Sequence, residues 1–192
     1  MQYFSSDWHL GHYRSIQFSN RPFKDVDEMD STIIHNMISP LKKGDDFYFL
    51  GDLAFNVASA AKFFNQLPKG VKFFWILGNH ERTASHFIHH CVQQIPIKEI
   101  KIRGTSVTLC HYPMITWNKS HYNAWQLFGH HHVSSHGHDK IHHLASGKQL
   151  NVNLEFHDYK PWTEDEIVEY MESRPDNWDL IIDKTRLKEN KT

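Results

Sequence analysis

Apolar residues along this chain gather in short runs separated by polar stretches. Tyr3 to Ser5, Phe47 to Leu50, Val71 to Leu77, Glu99 to Ile102, Val107 to Cys110 and Ala124 to Phe128 are rich in aromatic and β-branched side chains and predict strands. Helical spacing fills several of the gaps. Asp27 to Ser39 opens on acidic residues, carries Met29, Ile33, Ile34 and Met37 along one side and stops at Pro40, which predicts a helix. Val57 to Leu67 predicts a second helix, ended by Pro68 and Gly70, and Thr83 to Cys91 a shorter third. Thr163 to Ser173 predicts a fourth, with Thr163 as its N-cap and Asp165 and Glu166 in the first turn, where the helix dipole favours negative charge. Strand and helix alternate through the first half and the middle is mostly strand. That order predicts an α/β fold, a sandwich of two mixed sheets covered by helices. The polar, His-, Ser- and Gly-rich segment 133–147 reads as a long loop or hairpin tip, and the charged stretch 174–192 as a surface helix or frayed tail.

At 192 residues the chain suits a single domain, 1–192, and its 40% apolar content suits a buried core. A formal net charge of -1 gives no sign of a surface built to hold long nucleic-acid backbones. Cys91 and Cys110 are far apart and outside any CxxC spacing, so two reduced thiols are expected. No apolar run approaches the ~20 residues that span a bilayer, and the opening Met1-Gln2-Tyr3-Phe4 shows no signal-peptide pattern. A cytoplasmic protein with no membrane association and no obligatory protein partner is the expectation. The 17 histidines change the picture most, because imidazole is the commonest metal ligand. His136, His138, His142 and His143 lack acidic partners and are read as surface residues or weak adventitious metal binders; those inside spaced acidic and glycine-bearing patterns are the candidates.

Five such patterns follow one another, each directly after a predicted strand: Asp7-Trp8-His9, Gly51-Asp52, Gly78-Asn79-His80-Glu81, His111, and Gly129-His130-His131-His132. A strand fixes the position of the loop that follows it, and several such loops can present side chains to one cleft. Asp7 and His9 are two apart, so on an extended chain their side chains project the same way. Singly, a DxH is a chance event, a Gly-Asp is as readily a turn, and His130 and His132 fit a polar loop. The ordered set is far more specific than any member.

That ordered set resembles the calcineurin-like metallophosphoesterase superfamily, whose signature runs DxH, GD, GNH[DE], H and GHxH. The resemblance spans Asp7 to His132 and implies a four-layer α-β-β-α sandwich. His9-Leu10-Gly11-His12, Asn20-Arg21-Pro22-Phe23, His111-Tyr112-Pro113 with Trp117, Ser120-His121 and Asp158-Tyr159-Lys160-Pro161 also look like a small phage and bacterial subgroup. By resemblance, Asp7, His9 and His132 hold one divalent metal ion, Asn79, His111 and His130 hold a second, and Asp52 bridges the two. The donor chemistry agrees: a carboxylate has two oxygens and can link two cations, and an N/O set without thiolate suits Mn, Fe, Ni or Zn. Two such ions clamp a phosphate ester and share a hydroxide that attacks phosphorus in line.

His80 matches the family's non-ligand histidine, expected to stabilise developing charge or to protonate the leaving oxygen; its blander reading is a packed residue or a further ligand. Ser/Thr protein phosphatases of the superfamily carry a longer GDxxDRG motif whose second Asp orients that histidine. Here the run is Asp52-Leu53-Ala54-Phe55-Asn56-Val57, which argues against a protein phosphatase and leaves open what holds His80. His12 is a candidate pocket residue and Arg82 a candidate phosphate contact, each weighed against simple surface exposure; Arg21 is a turn residue by default and a substrate contact only by the subgroup resemblance. Trp8, Trp117, Tyr122 and Trp125 flank the motifs; a tryptophan's usual place is the core, but a base-stacking wall would favour a nucleotide. The expected function is metal-dependent hydrolysis of a small phosphate ester, as a phosphodiesterase on a nucleotide or nucleic-acid-derived substrate. A broad phosphomonoesterase and a non-catalytic scaffold are the alternatives.

Overall fold

The computed structural model describes residues 1–133 and 147–177. Two mixed sheets form its centre. The first has the order β4-β3-β2-β1-β9, from Gln93–Ile95, Lys72–Ile76, Asp46–Phe49, Gln2–Ser5 and Trp162–Thr163. β1 to β4 are parallel and β9 runs antiparallel to β1. The second has the order β5-β6-β7-β8, from Ile97–Ile102, Thr105–Cys110, Trp125–Phe128 and Gln149–Asn151. β5 and β6 form an antiparallel hairpin, and β7 and β8 continue parallel to β6. The architecture is the expected α/β sandwich of two mixed sheets with helices.

Side-chain alternation along each strand divides the core in two. One face of the first sheet gives Tyr3, Phe47, Phe49, Phe73 and Trp75 to a cluster with Met29, Ile33, Ile34 and Met37 of α2 (Val26–Ile38) and Ala60, Phe63 and Phe64 of α3 (Val57–Phe64). The other face gives Phe4, Tyr48 and Ile76 to the space between the sheets, where they meet Val107, Leu109, Trp125, Leu127 and Leu150. α4 (Glu164–Ser173) adds Ile167 and Met171 to this second cluster and packs against β1, β8 and β9. The outward face of the second sheet is covered by the 112–124 segment, tied down by Gln126 and Gln149, whose amides bond the Tyr112 and Met114 carbonyls at 2.9 and 2.8 Å.

The predicted strands and the helices at 27–39, 57–67 and 163–173 are present with ends shifted by a few residues. Thr83 to Cys91 is instead a 3-10 helix, Ala84–His90, with a kink at Phe87. α1 (Tyr13–Phe18) and strands β4, β8 and β9 were not foreseen. α1 has six residues and no side-chain cap, and β9 has two residues, too short for periodicity to register. The cysteines are free thiols, and among the described residues no helix is long and apolar enough to cross a membrane. His136, His138, His142, His143 and most of the charged tail lie outside the described residues.

α4 begins where β9 ends, so a single cap couples the helix to the sheet edge. Thr163 accepts from the Glu166 amide, and the Glu166 carboxylate accepts from the Thr163 amide at 2.8 Å, a reciprocal capping box. Thr163→Ala is expected to lower unfolding stability by about 1 kcal/mol, read as a shift in the urea midpoint at unchanged m-value. An unchanged midpoint would show that β9 pairing alone fixes this helix.

Candidate metal centre

All five motifs sit just beyond the C-terminal ends of strands: β1, β2 and β3 in the first sheet, β6 and β7 in the second. Parallel pairing within each sheet brings those ends together, and the loops then lock to one another. The Asp7 amide bonds the Gly51 carbonyl at 2.9 Å, and the His9 amide bonds the Asp52 carbonyl at 3.0 Å. Leu10 and Phe55 continue this ladder, the Leu10 amide reaching Leu53 and the Phe55 amide reaching Leu10. In the second sheet the Gly129 amide bonds the His111 carbonyl at 2.9 Å. Carboxylates fasten these loops: Asp7 accepts from the His130 amide at 3.0 Å, which joins the two sheets, and Asp52 accepts from the His80 amide at 2.9 Å within the first.

Asp7 and His9 do not lie on an extended chain. Their φ values are 61° and 52°, and Asp52 and His130 are also left-handed at 63° and 72°. Non-glycine residues rarely adopt this region, and such strain collects at functional sites. The motif glycines have a related purpose. A Cβ on Gly78 would lie 2.4 Å from Asp52 Oδ1, and one on Gly129 would lie 2.5 Å from Asp7 Oδ2. Glycine at these positions leaves room for the carboxylates.

The seven expected ligands converge. His9 Nε2 and His132 Nε2 are 3.1 Å apart, and His132 Nε2 is 3.6 Å from Asp7 Oδ1. Asn79 Oδ1 lies 3.0 Å from both His111 Nε2 and His130 Nδ1. Asp52 Oδ2 lies between these groups, 3.6 Å from His9 Nε2 and 3.6 Å from His111 Nε2. Among the described residues, two carboxylate- and histidine-bearing triads satisfy metal-ligand spacing, Asp7 with His9 and His132, and Asp7 with Asp52 and His111. Asp7 therefore borders both halves, a position closer to the centre than the sequence suggested.

The donor set fits a cation. Burial raises the Asp7 carboxyl above its usual range, with His132 and His111 opposing that rise, so the site favours a nearby positive charge. Burial and then the neighbouring His132 hold His9 well below the ordinary histidine value, and burial likewise lowers His130. Both are therefore neutral imidazoles near neutral pH, the form that offers a lone pair.

Neighbouring residues fix the rings. His111 Nδ1 donates to the Leu50 carbonyl at 2.7 Å, which leaves Nε2 facing Asn79. His132 Nδ1 lies 2.9 Å from Glu155 Oε1, and Glu155 also accepts from the Val133 amide. Burial lowers the His132 value, but the hydrogen bond to Glu155 and the charge of Asp7 outweigh it and the net shift is upward. Arg21 closes the chain. Buried at 3% exposure, it pairs with Glu155 at 2.8 Å and donates to the Asp7 and Trp8 carbonyls at 2.8 and 2.7 Å. It braces the first motif rather than forming a simple turn or meeting substrate. Asn153 adds an amide bond to the His131 carbonyl at 3.0 Å.

Glu81 is turned away from the His80 ring. Its Oε1 accepts from the Asp52 amide at 2.6 Å, the Gly78 amide at 3.1 Å and Trp75 Nε1 at 3.1 Å, which joins the second and third motifs. Burial pushes its carboxyl up to about 7. His12 borders a cleft of about 280 Å³ together with His9, Ser15, Phe18, His132 and Val133. Arg82 borders a second depression of about 140 Å³ with Ala54, Phe55 and His80. The tryptophans flanking the motifs take the core places usual for them and form no base-stacking wall: Trp8 is fully buried against Phe47, Phe49 and Phe63, and Trp117 and Trp125 are buried too. Tyr122 is 77% exposed but borders a hollow with Gly104, Thr105 and Lys119, which includes none of the expected ligands. The aromatic rings at the site are Tyr112, edge-on to His111 and His130 at 5.1 and 4.8 Å, and Phe55.

Glu155, Asn153 and Phe55 have no assigned part in the sequence reading, Tyr112 enters it only within a resembling segment, and Arg21 enters it as a turn residue or a substrate contact. A ligating histidine needs an acceptor for its other nitrogen, so a buried acid was to be sought. With 22 acidic residues in the chain, no local spacing singled out Glu155.

The family model for calcineurin-like phosphoesterases matches residues 3–188. An uncharacterized protein of Methanocaldococcus jannaschii is 32% identical over 172 residues, covering 88% of this chain and 90% of its own length. The crystal structure of a protein of unknown function from Aquifex aeolicus superposes with a TM-score of 0.71 at 25% identity, covering 88% of this chain and 98% of that one.

Glu155→Gln keeps an oxygen acceptor for His132 but removes the charge that Arg21 and His132 share. Metal affinity is expected to fall about 10- to 100-fold, measured by competition with a chromophoric chelator on protein whose circular dichroism is native. Unchanged affinity would leave Glu155 with a purely structural part.

Proposed function

We propose that this chain, which belongs to the calcineurin-like phosphoesterase family, is a two-metal phosphodiesterase acting on a nucleotide or nucleic-acid-derived diester. Membership alone makes it a metal-binding hydrolase of phosphoric esters. The two-ion reading is carried by Asp52 Oδ2, which lies 3.6 Å from an imidazole nitrogen of each half of the donor cluster. In this reading Asp7, His9 and His132 hold one ion, Asn79, His111 and His130 the other, and Asp52 serves both. The N/O donor set suits Mn, Fe, Ni or Zn. Divalent ions held there would supply Lewis acidity to the phosphoryl oxygens and to the attacking water.

The remaining groups act on substrate directly. His80 borders the smaller depression with Arg82. From there the imidazole donates a proton to the leaving oxygen, while the guanidinium meets a phosphoryl oxygen with a forked donor geometry. His12 lines the larger cleft.

Support for a diester comes from the surface on either side of these groups. His12 lines the larger depression and Phe55 the smaller, and the two rings stack at 3.7 Å, so the depressions flank one stacked pair. A diester has a substituent for each; a monoester fills one. Support for a nucleobase comes from Tyr112, 44% exposed and packed on two expected ligands. An aromatic face held that rigidly suits base stacking.

Two measurements test this. Asp52→Asn is expected to reduce bound metal from two equivalents to one or none and to abolish turnover, since one side chain serves both positions; full activity in chelator-treated, metal-free protein would end the two-metal reading. Tyr112→Ala should lower kcat/KM for a nucleobase-bearing diester about five- to 100-fold while hardly changing a base-free alkyl diester. Equal rates on both substrates in the wild type, unaltered by the substitution, would remove the nucleotide preference. A kcat/KM for monoesters above that for matched diesters would instead favour the phosphomonoesterase.

A further inference from the structure

We propose that Phe55 is the positioning residue for His80, holding the imidazole against an aromatic face where no acid among the described residues hydrogen-bonds the ring. This rests on the reading of His80 as proton donor given above, and its test separates the two.

The backbone comes first. Phe55 lies between the Asp52 loop and α3, and both flanks are fixed. Its amide bonds the Leu10 carbonyl at 2.9 Å, in a parallel bridge formed by Leu10 and Ala54. Asn56 caps α3 by accepting from the Ser59 amide at 2.8 Å. The ring is thus delivered to one place. There it stacks on His12 with centroids 3.7 Å apart and planes 10° apart, and on His80 at 5.3 Å and 29°. His9 packs against it at 5.6 Å. Phe55 is nevertheless 39% exposed, although most phenylalanines of this chain lie in the core. A large apolar side chain kept at the rim of a polar site, in contact with three imidazoles, calls for an explanation.

The alternatives for orienting His80 are used elsewhere. Among the described residues no group hydrogen-bonds the His80 ring; only its amide is engaged, by Asp52. Glu81, the adjacent acid, directs Oε1 to the Asp52 and Gly78 amides and to Trp75. The segment Leu53-Ala54-Phe55-Asn56 contains no acid. An exposed imidazole without an acceptor rotates among rotamers, and general acid catalysis needs its nitrogen within hydrogen-bond reach of the leaving oxygen. A flat ring face limits that rotation and leaves both ring nitrogens free, one of them for the substrate. His12, closely stacked on the same ring, backs it.

The test compares Phe55→Ala, Phe55→Leu and Phe55→Tyr, alone and with His80→Ala, in metal-reconstituted protein. Each variant is checked for metal content and circular dichroism, and each is assayed on a diester with an alkyl leaving group and one with p-nitrophenolate. His80→Ala is expected to lower kcat on the alkyl ester by roughly 10²–10⁴-fold. Phe55→Ala and Phe55→Leu should retain metal and lose about ten- to 100-fold in kcat on the alkyl ester, the scale set by misplacing a reacting group. KM should change little, and the p-nitrophenyl ester, whose leaving group scarcely needs a proton, should be much less affected. Phe55→Tyr, which restores a flat ring, should recover most of the loss. In the His80→Ala background, Phe55→Ala should add nothing.

A loss that falls in KM, strikes both leaving groups alike or persists without His80 would overturn the inference and make Phe55 a substrate contact or a packing residue. So would loss of metal or of native circular dichroism in Phe55→Leu, which marks a structural part. If His80→Ala keeps full kcat on the alkyl ester, the proton-donor reading of His80 fails and takes this inference with it. If His80→Ala is impaired while Phe55→Ala is not, the inference alone fails.

Discussion

Asp7 and Asp52 are almost wholly shut off from water where the ends of the two sheets meet, and the architecture of the site follows from keeping them there. Burying an anion is costly unless a countercharge and hydrogen bonds replace its hydration. Each carboxylate takes an amide from another motif, Asp7 from His130 and Asp52 from His80, which fastens one loop to the next. Arg21, the buried cation of this region, directs its donors to the Asp7 and Trp8 carbonyls and to Glu155, so it compensates the loop and the brace behind it. What faces the two carboxylates directly is imidazole, with His9 and His111 beside Asp52 and His132 beside Asp7. His9, held well below the ordinary histidine value by burial, offers a lone pair and not a charge. Buried carboxylates surrounded by ring nitrogens make a donor set suited to a cation.

Such a donor set works only if the rings do not turn, and the buried polar contacts around it serve that end. The Leu50 carbonyl sets the tautomer of His111, and Glu155 does the same for His132. Glu155 would itself be an uncompensated buried anion without Arg21, and Arg21 in turn holds the carbonyls of the first motif. Phe23 and Tyr159 pack edge to face at 5.0 Å, joining the segment after Arg21 to the one after Glu155. The first motif, the last motif and the chain after β8 are therefore one mechanical unit. A change at any member is felt at His132.

The sequence carried the parts of this that act locally. Strands with alternating faces, the α4 cap and the five motifs were readable because each depends on neighbours within a few residues. The ladder linking Leu10 to Leu53 and Phe55 was not, and neither was the Arg21–Glu155 pair, which spans 134 residues. One local inference failed for a physical reason. Spacing of two puts side chains on one side only when the backbone is extended, and Asp7 and His9 reach a common point through left-handed turns instead. The tryptophans flanking the motifs are in the core, their usual place, and Trp8 shows how. Trp8 lies between two expected ligands in sequence, but the same turns send it into the aromatic cluster behind the sheet.

That reversal at Trp8 explains how one short segment serves both core and chemistry. Between Asp7 and His9 the chain must drive a large apolar side chain inward and aim two donors outward, and left-handed φ at both flanking residues achieves it. The strain of such positions, on the order of 1–3 kcal/mol each, persists because the surroundings over-determine it. Trp8 is packed on three phenylalanine rings, and the amides on either side of it are bonded to the Asp52 loop. The donor positions are thus set by the core and the backbone, not by the rim. Phe55, Arg82 and Tyr112 stand outside that constraint, exposed at the edge of the site. If the proposed roles hold, substrate choice and proton delivery are adjustable at those three exposed side chains without disturbing the carboxylates beneath.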